Sequence, residues 1–347
     1  MTDRKDIFYN AISKLENPNF EIVRQLPSGS HTAPKIIRMS DGRLAVLKQP
    51  VPLVQRQNET DADFEKRRGY MSQQWAKDIA VQDSVSKILS DYTGDLNVPR
   101  TIHYVSGPTG YIIEELATGT PLNSSLINNM SDTERKHLAE LLANFLNYMH
   151  QKTAQQKKST YGFFSSLDTP EKSATQQVIE RFSSALPDKS ELLKQLFDEK
   201  ITKDDYSVMV HSDIRATNIM YDQDNNKFSL IDFGNAKQGN KYHDMVLFAS
   251  AANKELFPIL LEASQIYNSL PKQKLPIFYN SDTINKLFCR NVVFLAGFHA
   301  IRNKMSDKAI QDMWAKEIQP DLDYINTQYG KFIQKSGRSL DGEYHDK

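Results

Sequence analysis

Residues 208–234, VMVHSDIRATNIMYDQDNNKFSLIDFG, decide how this chain is read. The apolar run Val208-Met209-Val210 ends at His211, Asp213 follows, and Asn218 lies five residues beyond Asp213. After Ile219-Met220-Tyr221, the cluster Asp222, Asp224, Asn225 and Asn226 marks a turn. A second apolar stretch, Phe228-Ser229-Leu230-Ile231, then delivers Asp232-Phe233-Gly234. The pattern predicts a hairpin-like pair of strands that carries the oxygen-bearing side chains of Asp213, Asn218 and Asp232 to one place. Turn chemistry accounts for residues 222–226, but not for polar residues set at the ends of apolar strands.

Phosphoryl transfer needs such a set. The migrating group is already electrophilic, so the protein has to place an alcohol in line and neutralise charge with Mg²⁺. Mg²⁺ takes one or two hard oxygen ligands from protein and completes its shell with phosphate oxygens and water. Asn218 and Asp232 suit that role. A separate carboxylate must accept or orient the proton of the substrate hydroxyl, and Asp213 is placed for it.

The segment resembles the catalytic and metal loops of the protein-kinase-like fold, in the form used by the aminoglycoside phosphotransferase and choline kinase superfamily. Those enzymes usually write H-G-D-x-x-x-x-N followed by I-D-F/W. Here Ser212 stands where glycine is commonest, and Ile214-Arg215-Ala216-Thr217 fill the interval. The resemblance implies an α+β, two-lobed protein-kinase-like fold, with an antiparallel β N-lobe carrying a helix and a mainly helical C-lobe. It also implies ATP and Mg²⁺ as cofactors.

Length and composition agree with a two-lobed chain. At 347 residues it exceeds one average domain. Lys+Arg and Asp+Glu balance at 43 each, which gives no prior for nucleic acid or an anionic membrane. A lone cysteine, Cys289, and an N-terminus MTDRKDIFYN without an apolar signal core point to a cytoplasmic protein. The longest apolar run, Val292 to Ile301, is too short to span a bilayer.

Taken in order, residues 4–16 set Ile7, Ala11, Ile12 and Leu15 on one face of an opening helix. Phe20 to Leu26, Lys35 to Met39 and Leu44 to Lys48 read as a β-meander, with a hairpin signal at Asp41-Gly42. Pro50 to Gln74 is charged and reads as a connection with some helix, and residues 75–90 as a helix. Two further strands, Val98 to Val105 and Tyr111 to Glu115, flank a Gly/Pro turn. Beyond them the chain is helical, with a capping box at Ser131-Asp132-Thr133-Glu134. The expected organisation is a nucleotide lobe over 1–116, a catalytic and substrate lobe over 117–333, and a polar tail over 334–347.

The resemblance assigns further roles. The turn Ser28, Gly29 and Ser30 would cover the ATP phosphates and Lys48 would reach them. A helix carboxylate would hold Lys48, with Asp83 favoured over Asp78 or Glu65. In YIIEELATGTPL, Ile113 would guard the back of the pocket, and the Glu114 carbonyl and Leu116 amide would bind adenine. His211 would support the loop, and Asp244 would brace it or serve as an ordinary helix N-terminal carboxylate.

The acceptor is read as a small-molecule alcohol of aminoglycoside, choline or sugar type. From Asn235 onward the chain has fifteen Lys/Arg against twelve Asp/Glu, which argues against a polycationic acceptor. Tyr267, Phe294, Phe298 and Trp314 would make a cage for a quaternary ammonium, or simply core. The alternatives are a protein kinase, a nucleotidyl transferase acting on a protein, and a nucleotide-binding pseudokinase. Against the protein kinase, no A-P-E-type segment follows Gly234, and Asp244 comes only ten residues later.

Overall fold

The structure, a computed structural model, describes residues 20–27, 32–51, 53–55, 57, 59–105, 107, 110–156, 170–197, 206–239, 244, 254–271 and 281–335. The chain forms two compact units, one of residues 1–90 and 99–117, the other of residues 91–98 and 118–347. The expected opening helix at 4–16 and the turn Ser28, Gly29 and Ser30 lie outside the described residues.

The first unit is built on an antiparallel sheet of β1 (Phe20–Gln25), β2 (Lys35–Met39), β3 (Leu44–Lys48), β4 (Thr101–Val105) and β5 (Tyr111–Glu115), in the order β1-β2-β3-β5-β4. The β2–β3 turn rests on Gly42, whose φ of +83° lies in the left-handed region that glycine enters at low cost. Alternation along the strands gives the sheet two faces. Ile37, Ala45, Leu47, Tyr111 and Ile113 cluster on one, with Phe20, Ile22, Met39 and Ile102 packed against them. On the other, Ile112 meets Trp75 and Ile79 of helix α1 (Asp61–Ile88).

Helix α1 starts earlier than its apolar spacing predicts. It is a single helix of 28 residues that takes in much of the charged connection. The Thr60 hydroxyl caps it by accepting from the Asp63 amide at 3.2 Å, and Asp61 and Asp63 meet the positive end of the helix dipole. Lys, Arg, Gln and Glu are good helix formers, so the first turns need no apolar face. Trp75 docks the helix by donating its indole N–H to the Gly110 carbonyl at 2.8 Å.

In the second unit, helix α2 (Ser124–Asn129) leads into helix α3 (Asp132–Thr153), which opens with a capping box between Ser131 and Glu134. The α3 stripe of Leu138, Leu142, Phe145, Leu146 and Met149 is fully buried, and helix α6 (Phe257–Ser269) packs along α3. Helices α4 (Pro170–Ala185), α5 (Ser190–Leu196), α7 (Ser281–Arg302), α8 (Asp307–Met313) and α9 (Gln319–Lys335) complete the unit. A widened π turn over Trp314–Ile318 joins α8 to α9 where Pro320, which has no amide hydrogen, interrupts the i→i−4 ladder. No helix among the described residues is long and apolar enough to cross a membrane.

The turn expected at Asp222 to Asn226 does join two paired strands, while the Val208–Val210 run pairs outside that hairpin. Strand β8 (Tyr206–Val210) lies between β7 (Gln155–Gln156) and β11 (Lys237–Gly239). The hairpin is β9 (Ile219–Asp222) with β10 (Lys227–Leu230), and β6 (Thr120–Pro121) joins its edge. A short turn makes its own flanking strands partners. Asp222 closes that turn by accepting from the Asn225 side-chain amide at 3.0 Å, which leaves β8 to pair elsewhere.

Candidate active site

Between β8 and β9 the chain folds into a tight, hydrogen-bonded loop. The Val208–Val210 strand is fully buried and brings His211 in behind it. The His211 Nε2–H donates to the Ile231 carbonyl at 3.0 Å, and Nδ1 accepts from the Asp213 amide at 3.1 Å. Those two bonds select the neutral imidazole protonated on Nε2. Burial lowers the His211 pKa and favours the same neutral form against the pull of Asp244. Phe233 stacks on the imidazole with ring centroids 4.3 Å apart and meets Phe145 of α3 edge-on. His211 thus fixes the direction of Asp213 from a buried position.

Asp213 and Asn218 form one unit. The Asn218 Nδ2 donates to the Asp213 backbone carbonyl and to its Oδ2, both at 2.9 Å. That commitment of the amide nitrogen leaves Oδ1 as the Asn218 atom able to coordinate a cation. Arg215 stands 3.3 Å from the same Asp213 oxygen, 44% exposed against 7% for the aspartate side chain. Burial pushes the Asp213 carboxyl above its ordinary pKa and the charge of Asp232 adds to this, while Arg215 and the Asn218 hydrogen bond oppose it.

Asp232 ends the β10 arm in the left-handed region, φ 68° and ψ 65°, just before a short 3-10 turn over Phe233–Asn235. Ser212 is also left-handed, at φ 64°. Two non-glycine residues in that region flank the Asp213 loop, a placement typical of functional sites. Among the described residues no group of three or more His, Cys, Asp and Glu side chains converges. An all-protein cage is therefore absent there, but one amide oxygen and one carboxylate are what Mg²⁺ asks of a protein when phosphates and water supply the rest.

Asp244 ties the loop down. Its Oδ2 accepts from the His211 amide at 2.9 Å and its Oδ1 from the Ser212 amide at 2.8 Å. Behind it, the His150 Nε2 lies 3.5 Å from Oδ2, and the Tyr267 hydroxyl lies 3.2 Å from the His150 Nδ1. All of this is buried.

In the first unit, the Lys48 Nζ lies 2.7 Å from the Glu114 Oε2. The carboxylate comes from strand β5, where the sequence reading favours a carboxylate of the helix. Asp83 instead pairs with Lys87 one turn on, at 2.6 Å. Strand alternation also relocates Ile113. It faces the core cluster with Leu47, on the sheet face opposite Lys48, so it does not stand behind a ligand held by that lysine. Glu114 occupies the Lys48 face, and Leu116 is half-buried just past β5.

Among the described residues the four aromatics do not form a cage. Tyr267 and Trp314 are core residues, packed against His150 and Phe182 respectively, while Phe294 and Phe298 stack on each other. The spacing that suggested a cage was the spacing of helix faces.

Residues 23–272 match the phosphotransferase enzyme family. The chain belongs to that family. No curated protein matches it by sequence. Among solved structures, this phosphotransferase is similar to the GDP complex of aminoglycoside 2'-phosphotransferase-IIIa, at a TM-score of 0.61 and 14% identity over 95% of this chain and 100% of that one. It is similar to ADP-bound aminoglycoside phosphotransferase APH(2'')-Ib at 0.58 and 13%, over 94% and 99% of the two chains. It is also similar to the apoenzyme of macrolide 2'-phosphotransferase MphH from Brachybacterium faecium at 0.56 and 14%, over 93% and 97%. At these identities the likeness carries the fold, an α+β kinase-like one with an antiparallel sheet in one unit and helices dominating the other. Family membership makes the chain a phosphotransferase that acts on an alcohol group.

Two contributors escape sequence reading. The Glu114 carboxylate gives no signal beyond a charged residue at a buried strand position, and Arg215 none beyond a cation two residues past Asp213.

Proposed function

We propose that this phosphotransferase moves the γ-phosphoryl group of ATP to a hydroxyl of a small molecule, with Asp213 as the catalytic base and Mg²⁺ held by Asn218 and Asp232. The observation that carries the reading is the Asp213–Asn218 pair, in which one carboxylate is buried, aimed and kept clear of the oxygen that its neighbour offers to a metal.

Asp213 holds the acceptor hydroxyl by a hydrogen bond and takes up its proton as the oxygen bonds to phosphorus. The bond from phosphorus to the β-phosphate bridging oxygen breaks and ADP leaves with that electron pair. No phosphoenzyme forms. Asn218 and Asp232 would hold the metal, which would supply neutralisation of the phosphate charge. Lys48 engages the phosphates, and Asn218 and Asp244 keep the loop rigid so that little reorganisation is needed as charge moves.

A small acceptor is supported by the short stretch from Gly234 to Asp244, part of which is already spent on β11. Little chain is left for a peptide-docking segment. The test is turnover with ATP and Mg²⁺ against a panel of aminoglycosides, macrolides, amino alcohols, sugars and generic protein substrates, with Asp213→Ala alongside. Labelling of a small alcohol that vanishes in Asp213→Ala supports the proposal. Labelling of protein alone would replace it with a protein kinase, and nucleotide binding without any transfer would replace it with a pseudokinase.

A further inference from the structure

We propose that Glu114 is the positioning residue that fixes Lys48 for the nucleotide phosphates, so that the ion pair which orients the lysine is built inside the sheet. The inference rests on the phosphotransfer reading for the role of Lys48, and on the register of β3 and β5 for the rest.

Lys48 is opposite Ile112 and Val46 is opposite Glu114. Lys48 and Glu114 are therefore diagonal neighbours on one face of adjacent antiparallel strands, the separation across which long side chains meet. The lysine stem runs along that face and ends with Nζ 2.7 Å from the carboxylate, the two side chains 14% and 6% exposed. An ammonium and a carboxylate so shielded cost free energy unless they meet each other, so the pair locks both rotamers. The lysine head carries three donors, and engaging one carboxylate leaves it chemically able to bridge to phosphate oxygens.

The source of the carboxylate has a consequence. In kinases where a helix supplies it, displacing the helix breaks the pair and the enzyme is switched off. Here β3 and β5 are bonded neighbours in one ladder, with Leu47 opposite Ile113 and Ala45 opposite Glu115 on either side of the pair. Movement of α1 does not by itself separate Nζ from Oε2. Lys48 is preorganised by the same hydrogen bonds that make the sheet.

The experiment is a double-mutant cycle on the full chain, reading ATP–Mg²⁺ affinity by calorimetry. Lys48→Met, Glu114→Gln and the double variant are compared with the starting protein, together with KM for nucleotide and for acceptor. Glu114→Gln is expected to weaken nucleotide binding about tenfold or more, leave the acceptor KM unchanged, and add nothing once Lys48 is methionine. Glu114→Asp should recover part of the loss. Glu114→Met keeps an apolar chain of similar length in the buried strand and is expected to bind nucleotide as weakly as Glu114→Gln, which protects the test if the glutamine variant folds poorly. Nucleotide affinity unchanged in Glu114→Gln, or losses that simply multiply in the double variant, would overturn the proposal. Failure of the phosphotransfer reading registers elsewhere, as turnover that survives Asp213→Ala.

Discussion

The Asp244 carboxylate accepts the amide hydrogen of Ser212 at 2.8 Å through one oxygen while its other oxygen accepts from the preceding residue, His211, at 2.9 Å. Two consecutive buried amides are satisfied by one side chain. Asp244→Asn keeps only one acceptor oxygen and turns the other position into a donor, so one amide is orphaned. A stability loss of about 1–3 kcal/mol is expected from urea unfolding. A fall in kcat that exceeds any change in nucleotide KM is expected beside it, because the loop carrying Asp213 is what loosens. Unaltered stability and kcat would mean that Asp244 does not brace the loop.

Ser212 sits at φ 64° with its hydroxyl buried and, among the described residues, without a hydrogen-bond partner. Both features are unfavourable for serine and neither affects glycine. Ser212→Gly is expected to stabilise the fold by about 1 kcal/mol, the relief of left-handed strain outweighing the extra freedom of the unfolded chain. Ser212→Ala removes the hydroxyl but keeps the strain and should gain less. A glycine variant that melts below the starting protein would contradict this account.

Asn218 is expected to matter as an amide, beyond its proposed use as a metal ligand. Asn218→Asp supplies a stronger ligand for Mg²⁺ but loses both donors to Asp213 and sets a second carboxylate against it. A kcat lower by about 10²-fold is expected even at saturating Mg²⁺, in line with other losses of a positioned donor. Activity restored by raising Mg²⁺ would reduce Asn218 to its ligand role.

The pH profile tests Arg215. Burial raises the Asp213 pKa, and Arg215 is the first of the groups opposing it. As the proposed base, Asp213 works only when ionised, so the rate is expected to fall as pH drops through that pKa. Removing the cation in Arg215→Met destabilises the carboxylate form, raises the pKa further and moves the acid limb of kcat/KM to higher pH, whereas Arg215→Lys should keep it near its original place. An acid limb that ignores the loss of Arg215 would show that another group sets it.

Much of the site is written locally. His211, Asp213 and Asn218 lie in one short segment, where spacing along the chain nearly fixes spacing in the fold, and the turn at Asp222 to Asn226 closes with its own side chains. Strand pairing around it is harder to read because pairing is a contest between distant segments. Val208–Val210 and Phe228–Leu230 are equally apolar, and which joins β11 and which joins β9 depends on turn length and on what else is available. Aromatic residues at helical spacing carry the same ambiguity, since a cage and a core look alike in one dimension, and here Tyr267 and Trp314 went to core.

The partner of Lys48 shows where sequence reasoning stops. A lysine at the end of a strand is visible in the chain, and so is the presence of several carboxylates nearby in number. The resemblance favours Asp83, on the helix, as the partner, yet Asp83 meets Lys87 four residues away on its own helix. Glu114 won a place beside Lys48 through the register of two strands sixty-odd residues apart, and register is a collective property of the whole ladder. The proposed chemistry is legible along the chain, because an acid, an amide and a second carboxylate at fixed short spacing have few other uses. Which face each strand residue occupies and which charges meet is settled in three dimensions, because a shift of one residue in a ladder exchanges every side chain between the two faces of the sheet.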